Sequence, residues 1–185
     1  MASINGIELK AIKEFRGHEY EPLVQGNIYY NGKKVGWYSQ DSWGGDDHIQ
    51  LDNDLKAETR NEINEVLDSY ESNTLFGGMN ELYNKQYNVT FKTDIFKGGT
   101  FLFGDLIQLQ DYEKTYKKLA KKWDTNNIAF CYKSLFDSFV KGSKLTKEEF
   151  KDNLEKDKDI KLYYLFSSLE DFKINTRKVV NKICI

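Results

Sequence analysis

Asp41, Asp46, Asp47, His48, Asp52 and Asp54 are six oxygen- or nitrogen-bearing side chains within 14 consecutive positions. Carboxylates at that density can hold Mg²⁺ or Ca²⁺, which take hard oxygen ligands. A metal-dependent phosphodiesterase or nuclease built on Asp41, Asp46, Asp47 and His48 is the chemistry they would support. The run "DNDLKAETRNEI" nevertheless lacks the glycine and the terminal glutamate of an EF-hand loop. A solvated loop followed by a helix cap accounts for the same residues, so neither a metal nor another cofactor is expected. General acid–base catalysis would have to use His18 or His48, the two histidines of the chain. A Cys131 nucleophile would need one of them brought from far along the sequence, and a free cysteine is more often simply buried. No Gly-x-Ser-x-Gly elbow, phosphate-binding loop or His-Glu-x-x-His occurs. The expectation is a protein that binds rather than an enzyme.

Binding has two candidate surfaces. In "GWYSQDSWGGDDH", Gly36 to His48, two indoles stand beside a glycine pair and three aspartates. Strand alternation sends Trp37 and Tyr38 to opposite sheet faces, so one core can take only one of them. Trp43 falls past the strand in a glycine-rich loop, where the ring either folds back as a plug or stands out as an anchor. Protein interfaces are enriched in such anchors. The expected partner-binding residues are therefore Trp37, Asp41, Trp43, Asp46 and Asp47. The alternative is nucleic-acid binding by Lys114, Lys117, Lys118, Lys121 and Lys122, with Tyr112, Tyr116 and Trp123 nearby. Those rings share the apolar stripe of their helix, however, and should point inward.

The elements that must position these groups are legible from periodicity. "SINGIELKAIKEF" alternates as a strand through Ile7, Leu9 and Ala11. Two β-prone runs flank Asn31-Gly32, a pair that accepts the positive φ angles of a tight hairpin, so strands are expected over 23–30 and 34–39. Leu55, Thr59, Ile63, Val66, Leu67 and Tyr70 recur at helical spacing and predict a helix over 54–71, capped by Asp52, Asn53 or Asp54. A short helix near 79–87 follows Gly77-Gly78. "NVTFKTDIFKGGTFLF" reads as strand, Gly98-Gly99 turn, strand. Leu106, Leu109, Tyr112, Tyr116, Leu119, Ala120 and Trp123 make the strongest helix, over 105–123. "NNIAFCYKSLFDSFVKG" fits either a strand leading into a short helix or one helix. Thr146 with Glu149 is a capping box that starts another helix, "IKLYYLFSS" reads as an interior strand, and the tail can end helically.

These elements predict one α+β domain over residues 1–185. It would hold a mixed or antiparallel sheet of five to seven strands, an N-terminal β-hairpin unit and three to five packed helices, with 72–78 the place for any subdivision. A chain of 185 residues can bury a core without staples. Two distant cysteines favour reduced thiols in a cytoplasmic protein. "MASINGIELK" has no basic start leading into an apolar run, and no stretch approaches the roughly 20 apolar residues of a membrane span, so a soluble chain is expected. The net charge of −2 is uneven: residues 1–92 carry nine basic and fifteen acidic side chains, and residues 93–185 carry eighteen and fourteen.

The segment "QGNIYYNGKKVGWYSQDSWGGDDHIQLD", Gln25 to Asp52, resembles N-terminal segments of small accessory proteins of phages and other bacterial mobile elements. At a greater distance it is similar to the type II anti-CRISPR proteins. The likeness covers under a third of the chain and rests on a Gly-Lys hairpin followed by Ser-Gln-Asp-Ser-Trp-Gly-Gly. It transfers no catalytic or binding residue. It implies an anti-defence role, achieved by binding a nuclease such as a CRISPR effector and blocking it in the bacterial host cytoplasm. The abundance of lysine, asparagine and isoleucine fits an AT-rich phage or bacterial source. The same exposed aromatics would equally suit a homodimer.

Overall fold

The computed structural model describes residues 1–71, 98–132, 138–143, 148–149, 152 and 162–176. The expected helix near 79–87 and the strand before Gly98 lie outside them. So do the bounds of the helix expected from Thr146 and the tail beyond 176.

Two Asn-Gly turns organise the amino-terminal half. Strands β1 (Ser3–Ile4) and β2 (Ile7–Arg16) are joined by Asn5-Gly6; β3 (Pro22–Tyr30) and β4 (Lys33–Ser39) are joined by Asn31-Gly32. All four turn residues have positive φ, at 50° and 81° in the first turn and 48° and 81° in the second. That geometry matches the right-handed twist of the flanking strands. The turns also meet, since the Asn31 amide donates to the Gly6 carbonyl at 2.9 Å. β5 (His48–Leu51) pairs antiparallel with β4. β9 (Lys173–Ile174) pairs parallel with β1, and completes a six-stranded mixed sheet of order β5-β4-β3-β2-β1-β9. Asn5 fastens this last strand: its Nδ2 donates to Thr176 Oγ1 at 2.6 Å and its Oδ1 accepts from the Thr176 amide at 2.7 Å.

A second, antiparallel sheet of order β7-β6-β8 contains β6 (Asn127–Tyr132), β7 (Ser138–Ser143) and β8 (Leu162–Phe166). In the ambiguous stretch after Asn126, Asn127–Tyr132 and Ser138–Ser143 are paired antiparallel strands, and its described residues hold no helix. Among the described residues β8 pairs with β6 alone, and Tyr164, Leu165 and Phe166 are all buried. α1 (Ala57–Asp68) and α2 (Gly99–Trp123) pack in one hydrophobic cluster with both sheets, and Tyr164 and Phe166 of β8 belong to it. The protein is α+β; two α-helices have described bounds, and Glu148, Glu149 and Asp152 are helical as well, where the Thr146 capping box predicts a helix. The described start of the tail is a 3-10 turn (Leu169–Phe172) leading into β9.

α1 starts at Ala57, three residues later than the periodicity suggests, and Lys56 at its N-cap makes no side-chain cap bond. Asp52 serves through its backbone instead, its carbonyl accepting from Arg60 Nη2 at 2.6 Å. A larger correction concerns α2. Residues 100–103, expected as a strand after a Gly-Gly turn, are its first turn, with Leu102 and Phe103 fully buried. Leu102, Leu106 and Leu109 extend the inward stripe at helical spacing, which outweighs the β preference of "TFLF". Gly98, at φ 110°, ends the incoming chain, and Gly99 permits close approach, because a Cβ there would lie 2.6 Å from Ile49 Cδ1.

The two helices are tied by a buried polar pair. Tyr70 just past α1 donates its hydroxyl to Asp105 Oδ2 at 2.5 Å. Burial pushes the Asp105 carboxyl up to about 6, against the opposing effect of the tyrosine bond. A carboxyl raised in the folded state stabilises fully below its unfolded value near 4, and that contribution is lost as pH rises through about 6. Relative to Asp105→Asn, which still accepts from Tyr70, the native chain should therefore lose about 1–2 kcal/mol between pH 4.5 and pH 7.5. Urea unfolding of both proteins at the two pH values measures this. Parallel curves would show that Asp105 ionises without cost.

Candidate functional site

The alternation of β4 decides which ring is available. Tyr38 points inward, fully buried, with its ring stacked on Phe103 at a centroid distance of 4.3 Å. Its hydroxyl donates to Asp47 Oδ2 at 2.7 Å. Burial first, then this carboxylate, holds the phenol far above its ordinary pKa. Trp37, one residue earlier, points outward and is 38% exposed.

Beyond β4 the chain makes a loop that is fastened at four places. The Gln40 amide donates to the Val24 carbonyl at 3.0 Å, and Gln40 Oε1 accepts from the Val24 amide at 2.8 Å. The His18 amide donates to the Ser42 carbonyl at 3.0 Å. Asp41 Oδ2 accepts from the Gly45 amide at 2.6 Å, closing a turn in which Gly44 has φ 77°. Asp47 takes the Tyr38 hydroxyl. On this frame Trp43 stands 75% exposed, its ring stacked at 4.0 Å on the imidazole of His18.

His18 belongs to the β2–β3 turn, and that turn presents a second ring. Tyr20 is 78% exposed and sits at φ 65°, a conformation that costs a non-glycine residue about 1 kcal/mol or more. Arg16 Nη1 braces it by donating to the Tyr20 carbonyl at 2.9 Å. Two neighbouring connections therefore place Trp43, His18 and Tyr20 at one end of the sheet, with Asp46 exposed in the same loop as Trp43.

Of the five residues expected to bind a partner, Trp37, Trp43 and Asp46 face solvent, while Asp41 and Asp47 tie the loop together. Tyr20 was not singled out by sequence reasoning, and His18 only as a possible acid–base group, not as part of a binding surface. An isolated tyrosine in the polar run "RGHEYEP" was the available sign. Among the described residues no three His, Cys, Asp or Glu side chains gather as a metal would require. Asp41 and His48 come no closer than 3.9 Å, and Asp52 is engaged through its carbonyl. Cys131 lies in β6, in register with Phe139 and Tyr163, away from the strands that lead to the histidines.

The lysine face of α2 is partly neutralised. Lys114 pairs with Asp111 at 3.0 Å and Lys117 with Glu113 at 2.7 Å, while Lys118, Lys121 and Lys122 are exposed. Burial alone would raise Glu113, but Lys117, the Ala2 amide at 2.7 Å and the Met1 ammonium together hold it below the usual carboxylate range. The helix's rings turn inward: Tyr112 stacks on Phe130 at 4.3 Å, Tyr116 donates to the Asn126 carbonyl, and Trp123 packs against the core. No described helix is long and apolar enough to cross a membrane.

No family model matches the chain, and no solved structure does. Part of the chain is similar to the ribosomal RNA large subunit methyltransferase K/L of Buchnera aphidicola, with 35% identity over 91 residues. That alignment covers 49% of this chain and 12% of the methyltransferase, so the chain spans far less than the length of that protein.

Proposed function

We propose that this protein is a non-enzymatic, anti-CRISPR-like inhibitor from a phage or mobile element that binds a bacterial defence nuclease in the host cytoplasm. The observation that carries the reading is Trp43: an indole left three-quarters in water on a loop fastened at four places. A mobile loop would lose entropy on binding, whereas this ring is already oriented. Tyr20 and the exposed Asp46 supply a second anchor and an acidic group beside it. A basic nuclease channel selected for nucleic acid attracts dense negative charge, and the first 92 residues carry an excess of six acidic side chains. The resemblance of Gln25 to Asp52 to accessory and anti-CRISPR proteins points to the same class of partner.

The test is calorimetry and a cleavage assay with a guide-loaded type II CRISPR nuclease. Trp43→Ala should weaken binding by roughly 30-fold or more, as for a hot-spot aromatic, and Tyr20→Ala with Asp46→Ala should weaken it further. Unchanged affinity in these variants would show the site assignment to be wrong. Self-association that Trp43→Ala abolishes, with no nuclease bound, would replace the proposal with a homodimer.

A further inference from the structure

Strand register builds a second surface that the Trp43 site does not use. Lys10, Asn27, Trp37 and Gln50 stand in one row across β2, β3, β4 and β5. Lys13, Gln25, Ser39 and His48 form the next row, with Glu8, Tyr29 and Lys34 on the other side. The alternate residues Leu9, Ile28 and Tyr38 are buried, so these rows lie on the face turned away from the core. Lys13, Lys34, Trp37, His48 and Gln50 are exposed, Gln25, Asn27 and Tyr29 are half-buried, and Ser39 is buried. Lys10 Nζ lies 4.3 Å above the Tyr29 ring and 2.7 Å from Glu8.

We propose that this outward sheet face, centred on Trp37, binds single-stranded nucleic acid. Such a ligand needs an exposed ring for a base, cations for phosphates and hydrogen-bonding groups for base edges. The face has all three. Trp37 is the stacking platform. Lys10, Lys13 and Lys34 outnumber Glu8, a local positive excess on the acidic half of the chain. The carboxamides of Gln25, Asn27 and Gln50 take no side-chain hydrogen bond among the described residues, so their donors and acceptors are open to a ligand. A protein partner fits less well, because lysine is depleted from protein interfaces and this face has little apolar area besides its two rings. The lysines of α2 make the weaker site, since their neighbouring rings are turned inward.

Fluorescence anisotropy of labelled 12-nucleotide DNA and RNA, at about 50 mM salt, tests the assignment. Both strands should bind, with affinity that falls steeply as salt is raised. Trp37→Ala should weaken binding by roughly 5–100-fold and Trp37→Phe by much less, the signature of stacking rather than of altered folding. Lys13→Glu with Lys34→Glu should flatten the salt dependence, while Trp43→Ala should leave binding unchanged. Absence of binding at low salt overturns the proposal. So does binding that survives Trp37→Ala but is lost in Lys118→Glu with Lys121→Glu and Lys122→Glu, which would place the ligand on α2.

Discussion

Replacing Tyr38 by alanine should cost about 3–5 kcal/mol of folding stability, the range for deleting a fully buried aromatic ring. Tyr38 is 0% exposed and stacks on Phe103 in the first turn of α2, so the cavity would open where the sheet meets the helix. The ring also holds Asp47 through its hydroxyl, and Asp47 closes the loop that carries Trp43. Two effects are thus superposed, and Tyr38→Phe separates them. It keeps the packing and removes one hydrogen bond, at a cost of about 1 kcal/mol. Its larger consequence should be local: faster amide exchange over residues 41–47 and weaker partner binding, with the rest of the sheet unchanged. Urea unfolding gives the first quantity and hydrogen exchange the second. Equal destabilisation by the two variants would mean that the hydroxyl, not the ring, carries the contribution.

Much of the sheet could be anticipated because its instructions are local. Asn31-Gly32 reports its own turn, and the opposite facing of Trp37 and Tyr38 follows from a period of two. Asn5-Gly6 carries the same signal and went unused, since the alternation around it reads as one strand. The start of α2 was misread for a different reason. "TFLF" has β-forming residues, and what makes it helical is the fit of Leu102 and Phe103 against Tyr38 and the rest of the core, which no local pattern reports. β9 is equally silent in sequence, because the bonds that fasten Thr176 to Asn5 join residues 171 positions apart. At the candidate site the exposure of Trp43 was one of two readings of a glycine-rich loop. The structure leaves the ring 75% exposed, stacked on His18, while Asp41 and Asp47 are occupied in closing that loop. Sequence distinguishes a carboxylate that binds from one that ties a turn only when the turn's other half is also visible.

Gly36 tests whether the support of that loop depends on backbone contact. A Cβ at this position would lie 2.2 Å from the Gln50 carbonyl oxygen and 3.0 Å from Leu51 Cα, and both are backbone atoms that no rotamer change can move aside. The φ angle is ordinary for any residue, so the whole penalty is steric. Relief requires β5 to separate from β4 at the Gly36–Leu51 pair, which loosens the neighbouring Tyr38–Ile49 and Ser39–His48 pairs. Ile49 in turn faces Gly99 at the start of α2, so the displacement reaches the core. Gly36→Ala should therefore cost about 3 kcal/mol, the upper end for overpacking by a single methyl group. Gly104→Ala supplies the opposing control. Gly104 is exposed within α2 and a Cβ there meets open space, so removing its backbone freedom should stabilise the protein by about 0.5–1 kcal/mol. Urea unfolding of both variants reads the two shifts directly. Because the chemical change is the same, opposite signs would locate the difference in the surroundings of β4. A neutral Gly36→Ala would mean that β5 is free to move and that the loop between the two strands is not held in place by their pairing.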